Sequence, residues 1–235
     1  MGERTGSDPT EAAGRLRELD ACAVSDALDS LGLEGVAEGI GSLWPAGRIS
    51  GTVRTVALRP VSADEPPPPT HLGARVIDTA AAGDVIVVAN HGRVDSAAWG
   101  GLLSAAAARK GVAGVIVDGA CRDVDEAAGA GFAVFARAAT PISARGRSVE
   151  EATDTPVVIG GVRVASGDLV IADASGVAFV PSASADEVLE TAERVIAKER
   201  SMLHELTAGA PVQQVLDGRY ETMLRERGGA DHALD

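Results

Sequence analysis

The apolar positions of this chain fall into short β-branched runs, glycine-marked turns and a few helical stripes. Val85-Ile86-Val87-Val88-Ala89 and Val112-Ala113-Gly114-Val115-Ile116-Val117 are apolar without alternation, as strands covered on both faces are. Between them, Gly101 to Lys110 is alanine-rich and is followed by Gly111, which predicts a helix with a glycine cap at its end. Strand, helix and strand form a βαβ unit with a right-handed crossover. Residues 51–60 alternate and are β-rich, and Phe132 to Ala136 is a third apolar run; each predicts a strand. Residues 157–159 and 162–164 flank Gly160-Gly161, a hairpin signature. Residues 168–172 and 177–180 predict two more strands.

Helical signals lie mostly at the two ends. Asp8-Pro9-Thr10-Glu11 supplies an N-cap, a first-position proline and a capping-box acid, so a helix is predicted over 10–20. A second is predicted over 23–31, ending at Gly32, with Ser25 as its cap and Asp26 as a first-turn acid. Short helices are expected near 70–80 and 125–131. Val188, Leu189, Ala192, Val195, Ile196 and Leu203 recur at helical spacing, which predicts a long helix over 184–207. A last helix is expected over 211–225. The proline run from Glu65 to Pro69 is a stiff surface connection. These elements give one mixed α/β domain over 8–227, with a disordered tail at 1–7 and a flexible one at 228–235.

Composition narrows the function classes. The net charge of −13, with no basic cluster, argues against a nucleic-acid partner. No apolar run reaches the length of a membrane span, and the polar start does not read as a signal peptide; the expectation is a cytoplasmic protein with no membrane partner. Cys22 and Cys121 have no metal-site or disulfide spacing. The two lysines, Lys110 and Lys198, sit on helical surface and do not suit a Schiff base. His71, His91, His204 and His232 show no zinc-ligand spacing. Nucleophile-elbow, phosphate-loop and dinucleotide motifs are missing.

What remains is Trp99-Gly100-Gly101-Leu102-Leu103 before the helix, and Asp118-Gly119-Ala120-Cys121-Arg122-Asp123 after the next strand. A helix N-terminus is an anion site. A carboxylate past a strand end suits a hard, oxygen-loving cation. Ligands of such units collect at the carboxyl ends of the strands. The two stretches are therefore expected to meet and to hold a small oxo acid against a divalent metal, with Asp118 as a further acid beside them.

GDVIVV, WGGLLSAAAARKGVAGVIVDGACRDVDE, GFAVFARAATP and GDLVIADASGVAFVP resemble the RraA-like family. That family includes metal-dependent 4-hydroxy-4-methyl-2-oxoglutarate/4-carboxy-4-hydroxy-2-oxoadipate aldolases and the regulator of RNase E activity. The resemblance implies a layered α/β/β/α domain of the swivelling β/β/α type, assembled as a homotrimer or homohexamer. It implies that Asp123 holds the metal, most often Mg2+ with Mn2+ as the alternative. Arg122 then contacts the pyruvyl part of the substrate, and the backbone of Gly100, Gly101, Leu102 and Leu103 binds its carboxylate. Glu199 is the position that best matches an acid reaching a neighbouring subunit's metal waters. Many aldolases of the family carry an acid where this chain has Gly101.

The chemistry implied is a class II lyase. Retro-aldol cleavage of a 4-hydroxy-2-oxo diacid and decarboxylation of oxaloacetate both leave a pyruvate enolate, which a chelated metal stabilises as a Lewis acid with Arg122 as a fixed positive charge. Two other readings stand beside it: a non-catalytic binding protein like the RNase regulators, and a tailoring enzyme on the same scaffold, suggested by Gly101.

Overall fold

The computed structural model describes residues 9–66, 68 and 70–218. Both expected tails, Asp8 and the last helix beyond 218 lie outside the described residues. Two helices open the chain, α1 (Pro9–Arg17) and α2 (Ala21–Leu31), followed by β1 (Val36–Ala37), β2 (Gly41–Ser42) and the long β3 (Ile49–Pro60). Next come α3 (Ala74–Thr79), β4 (Val85–Trp99), α4 (Gly101–Lys110), β5 (Gly114–Cys121), α5 (Val124–Gly129) and β6 (Ala133–Ala139). The remainder is β7 (Ser148–Thr153), the hairpin β8 (Val157–Ile159) and β9 (Val162–Val164), then β10 (Leu169–Asp173), β11 (Gly176–Val180), α6 (Ala185–Thr207) and α7 (Val212–Val215).

The large sheet has the order β1-β11-β10-β3-β4-β5-β6-β2, with β7 also on β3. Strand β3 joins its two halves. Residues 49–52 pair antiparallel with β10, residues 53–57 pair parallel with β4, and the end of the strand pairs antiparallel with β7. Strands β4, β5 and β6 continue in parallel.

The two-residue period of the strands sorts the side chains into three cores. Ile86, Val88, Val115, Val117 and Val134 pack on one face, against α3, α4 and α5. Val85, Val87, Ile116 and Phe135 point the other way, onto the β8–β9 hairpin and Val170, Val177 and Phe179 of β10–β11. Leu169, Ile171, Ala178 and Val180 turn outward to α1, α2 and α6. The result is an α/β/β/α stack with helices at both ends of the chain. Each fully buried Val, Leu or Ile adds roughly 1.5–3 kcal/mol relative to exposure.

Several expectations are corrected. Strand β4 does not end at Ala89. It runs on to Trp99, paired irregularly with β5 through three register shifts. The stretch after Val117 is not a loop from its start, because 118–121 belong to β5. Helix α2 begins at Ala21, where the Asp20 carboxylate accepts the Ala23 N–H at 2.8 Å. Ser25 and Asp26 therefore lie inside the helix and do not cap it. Strands β1, β2 and β7 had no counterpart in the sequence pattern. The glycine hairpin is as expected, with Gly160 and Gly161 both at positive φ, 54° and 92°.

Candidate active site

The ends of β4 and β5 finish side by side, Trp99 opposite Cys121, and the Arg122 N–H donates to the Trp99 carbonyl at 3.0 Å. Each strand then turns straight into a helix on the same face of the sheet, α4 after Gly100 and α5 after Asp123. The chain makes the second turn by placing Asp123 in the left-handed region, φ 57° and ψ 45°. Among non-glycine residues, Asp and Asn tolerate this best.

That corner swings the carboxylate of Asp123 back onto the start of α4. Its Oδ2 accepts the Gly101 N–H at 3.0 Å, and its Oδ1 accepts Nε–H of Arg122 at 3.0 Å. The Gly101 N–H, and next the Arg122 guanidinium, hold the Asp123 carboxyl below its usual range. Two donors in fixed positions thus keep a half-buried carboxylate ionised at a helix N-terminus. The N–H groups of Leu102 and Leu103 have no acceptor within the helix. The back of the turn is tied down separately. The Trp99 indole N–H donates to Ser104 Oγ at 3.0 Å, and that hydroxyl donates to the Gly100 carbonyl at 3.2 Å.

The glycines are what allow this closeness. A Cβ at Gly101 would lie 3.0 Å from Cβ of Asp123 and 3.2 Å from Cβ of Glu126. A Cβ at Gly100 would lie 3.1 Å from Oδ2 of Asp123. Position 101 is thus pressed against Asp123 and the first turn of α5.

A cavity of about 290 Å3 opens in front of these groups. Gly100, Gly101, Leu102, Leu103, Arg122 and Asp123 all line it. So do three residues that sequence reasoning missed: His71, Arg145 and Arg147. They come from the segments before α3 and β7 and meet the glycine turn only through the tertiary fold. Nδ1 of His71 lies 2.8 Å from the Leu72 carbonyl; a carbonyl only accepts, so Nδ1 carries the proton and Nε2 holds the lone pair of the neutral ring. Three arginines and one already paired carboxylate line the cavity, a balance of charge that suits an anion.

One predicted residue is not brought to it, and Glu199, expected to reach a neighbouring subunit's site, lies elsewhere. Asp118 stands on the opposite face of β5, with Ile116. Its buried carboxylate accepts from Nε of Arg137 and from the Gly160 N–H at 3.3 Å. It ties the hairpin to the sheet and does not line the cavity. Glu199 lies on α6, where burial, then Asp26 and Asp20, push its carboxyl up; it is not in this chain's cavity wall. Burial also pushes the Cys121 thiol up, so it is no nucleophile.

Among the described residues, no three His, Cys, Asp or Glu side chains converge on one point. Asp123 is the only carboxylate lining the described cavity. Each of its oxygens accepts one hydrogen bond and retains a lone pair. That donor set fits Mg2+, which keeps several waters and takes one or two carboxylates plus substrate oxygens. It does not fit a metal needing a full protein cage.

Fold and site together define an α/β protein whose sheet presents a helix start beside an Arg–Asp corner. A family model described as RraA-like (Aldolase/RraA) matches residues 21–179, and the chain belongs to that family. A 4-hydroxy-4-methyl-2-oxoglutarate aldolase of Thermus thermophilus is 34% identical over 134 residues, 57% of this chain and 76% of its own. A crystal structure of an uncharacterized Pseudomonas syringae protein superposes with a TM-score of 0.80 at 32% identity, covering 91% of this chain and all of that one. RraAS2 of Streptomyces coelicolor, described as an unusual member of the RNase ES inhibitor RraA family, has a TM-score of 0.75 at 28% identity, covering 83% and 98%. The chain spans about a third, 32%, of the length of the Legionella pneumophila protein DlpA, to which it is 29% identical. No helix among the described residues is long and apolar enough to cross a membrane.

Proposed function

We propose that this protein is a divalent-metal-dependent carbon–carbon lyase. It cleaves a 4-hydroxy-2-oxo diacid to pyruvate by a retro-aldol step and decarboxylates oxaloacetate by the same chemistry. The observation that carries this reading is the Asp123 carboxylate, fixed between the Gly101 N–H and Arg122 at the mouth of an arginine-lined cavity. The aldolase name of the Thermus relative supports it.

In this reading Asp123 holds the cation, Mg2+ or Mn2+. Such a cation would supply Lewis acidity for the enolate charge. The first-turn N–H groups of Leu102 and Leu103 hold the substrate carboxylate, with the helix dipole behind them. Arg122 sits beside the 2-oxo oxygen and steadies the negative charge that develops there as the bond breaks. His71 accepts the proton of the 4-hydroxyl. Arg145 and Arg147 take the second carboxylate, as planar guanidinium groups do well. Asp118 has no part in the chemistry and acts by holding the hairpin.

The reading extends to assembly as a homotrimer or homohexamer in the cytoplasm. On the α2–α6 surface, burial and then Asp29 and Asp20 push the Asp26 carboxyl up, and burial and then Asp26 and Asp20 push up that of Glu199. Such an acidic surface suits a neighbouring copy's cation-bearing site. A pyruvate-coupled assay over 4-hydroxy-2-oxo diacids and oxaloacetate, with Mg2+ and after EDTA, tests the whole. Pyruvate release that stops with EDTA is expected; no release from any of them with metal present overturns the reading. A protein that binds no Mg2+ and no oxalate in a thermal-shift measurement would instead behave as a non-catalytic regulator.

A further inference from the structure

A second cavity adjoins the first. It holds about 480 Å3 against about 290 Å3 for the candidate site, and both are walled by His71, Leu72, Ala144 and Arg145. These shared residues form a neck between an inner, anion-binding chamber and a larger outer one. The outer walls include Val61, Leu72, Ala144 and Val149. Glu65 is the carboxylate of that wall, and it is already engaged: Arg59 donates to both its oxygens at 2.8 and 2.6 Å, and the Ser62 N–H donates at 3.2 Å. The Arg59 guanidinium, helped by that N–H, lowers its carboxyl to about 2, so at neutral pH it is an ionised, paired group. The outer chamber therefore offers mostly apolar surface, with its one carboxylate, Glu65, already neutralised by Arg59 and its arginine, Arg145, at the neck.

A pyruvyl unit on the glycine turn needs only the inner chamber. A methyl group beyond it would leave the outer one to water. Ligand sites are mostly apolar, with a few polar groups that fix orientation, and the joined chambers have that division. We infer that the natural substrate carries a bulky apolar group, well beyond a methyl, on the carbon past the cleaved bond, and that this group enters the outer chamber through the neck of His71 and Arg145. The inference rests on the lyase reading of the inner chamber and names the substrate class for it.

The test reads binding separately from turnover. Mg2+-loaded protein is titrated calorimetrically with straight-chain 2-oxo acids, from pyruvate to 2-oxooctanoate. Affinity is expected to rise about fourfold for each methylene that enters apolar surroundings. Val61→Phe, which fills the outer chamber, is expected to collapse the series to the affinity of pyruvate. Val61→Ser serves where Val61→Phe does not fold, and is expected to flatten the slope. Equal affinity for short and long acids overturns the inference. So does a slope that survives Val61→Phe in a folded protein, or a flat slope accompanied by a change of assembly state in that variant, which would make the chamber a seat for a second copy. Cleavage assays keep the two readings apart. Pyruvate release from a compact diacid with a flat binding series sinks the chamber alone. A steep series with no cleavage of either compact or apolar-substituted 4-hydroxy-2-oxo acids sinks the lyase.

Discussion

Asp118 and Asp123 lie five positions apart in one motif, on opposite faces of the same sheet. Asp118 belongs to β5 and points with Ile116 toward the hairpin, where Arg137 and the Gly160 N–H take up its carboxylate. Asp123 lies past the strand end, and its left-handed corner turns it toward α4 and the cavity. Both are acids beside an arginine. One is a buried tie between layers; the other is held at a cavity mouth with lone pairs to spare. What separates the two is the phase of a strand and the corner that follows it, not the identity of a residue.

This contrast can be broken from either side. Asp123→Asn keeps a side chain that tolerates the left-handed corner and removes the charge. If the cation supplies several kcal/mol of charge stabilisation, pyruvate release should fall on the order of 10³-fold, with the melting temperature little changed. Arg122→Ala should cost on the order of 10²-fold in kcat, as loss of one oxyanion donor does. Asp118→Asn should do the reverse. Stability should drop by about 1.5–3 kcal/mol in chemical denaturation, since a buried carboxylate loses its charge-assisted hydrogen bonds, while kcat/KM of the folded fraction stays near wild type. An Asp118→Asn protein of normal stability but no activity would dissolve the distinction.

Smaller effects concern pH. The Asp123 carboxyl is lowered below 3.8. Its share of stability is present above the unfolded value and lost as pH falls through the lower folded value. The carboxyls of Asp26 and Glu199 are raised above 3.8 and 4.5, mainly by burial. The folded state there takes up protons more readily, so their share of stability grows as pH falls through those raised values. Asp26→Asn and Glu199→Gln should each raise the melting temperature slightly at neutral pH, and flatten its rise on mild acidification. Calorimetry across pH 4 to 7 on the order of half-unit steps resolves this.

Much of the fold was legible because it is written in local pattern. The Val85–Val88 run, the Gly160-Gly161 turn and the stripe of α6 each specify their own element. Strand β7 was not legible: Ser148-Val149-Glu150-Glu151-Ala152-Thr153 has its two buried residues at one end and mixed exposure after them, and only pairing with β3 makes it a strand. The extension of β4 through His91 to Asp95 is polar and largely exposed, and it too is held by pairing rather than pattern. At the site, the glycine turn and Asp123 were readable from spacing on one βαβ unit. The role of Asp118 required the strand phase. His71, Arg145 and Arg147 gave no signal, because they reach the cavity from segments distant in sequence.

Trp99 gives the site its own optical reporter. Its indole is 2% exposed, lines the cavity and stacks on Phe132 with ring centres 6.4 Å apart. The chain has one other tryptophan, Trp44, half-buried and hydrogen-bonded to the Phe132 carbonyl. A Trp44→Phe protein would therefore emit from the cavity wall alone, and arrival of an acid at the glycine turn could be followed as a change in its fluorescence, without labels and without waiting for a bond to break.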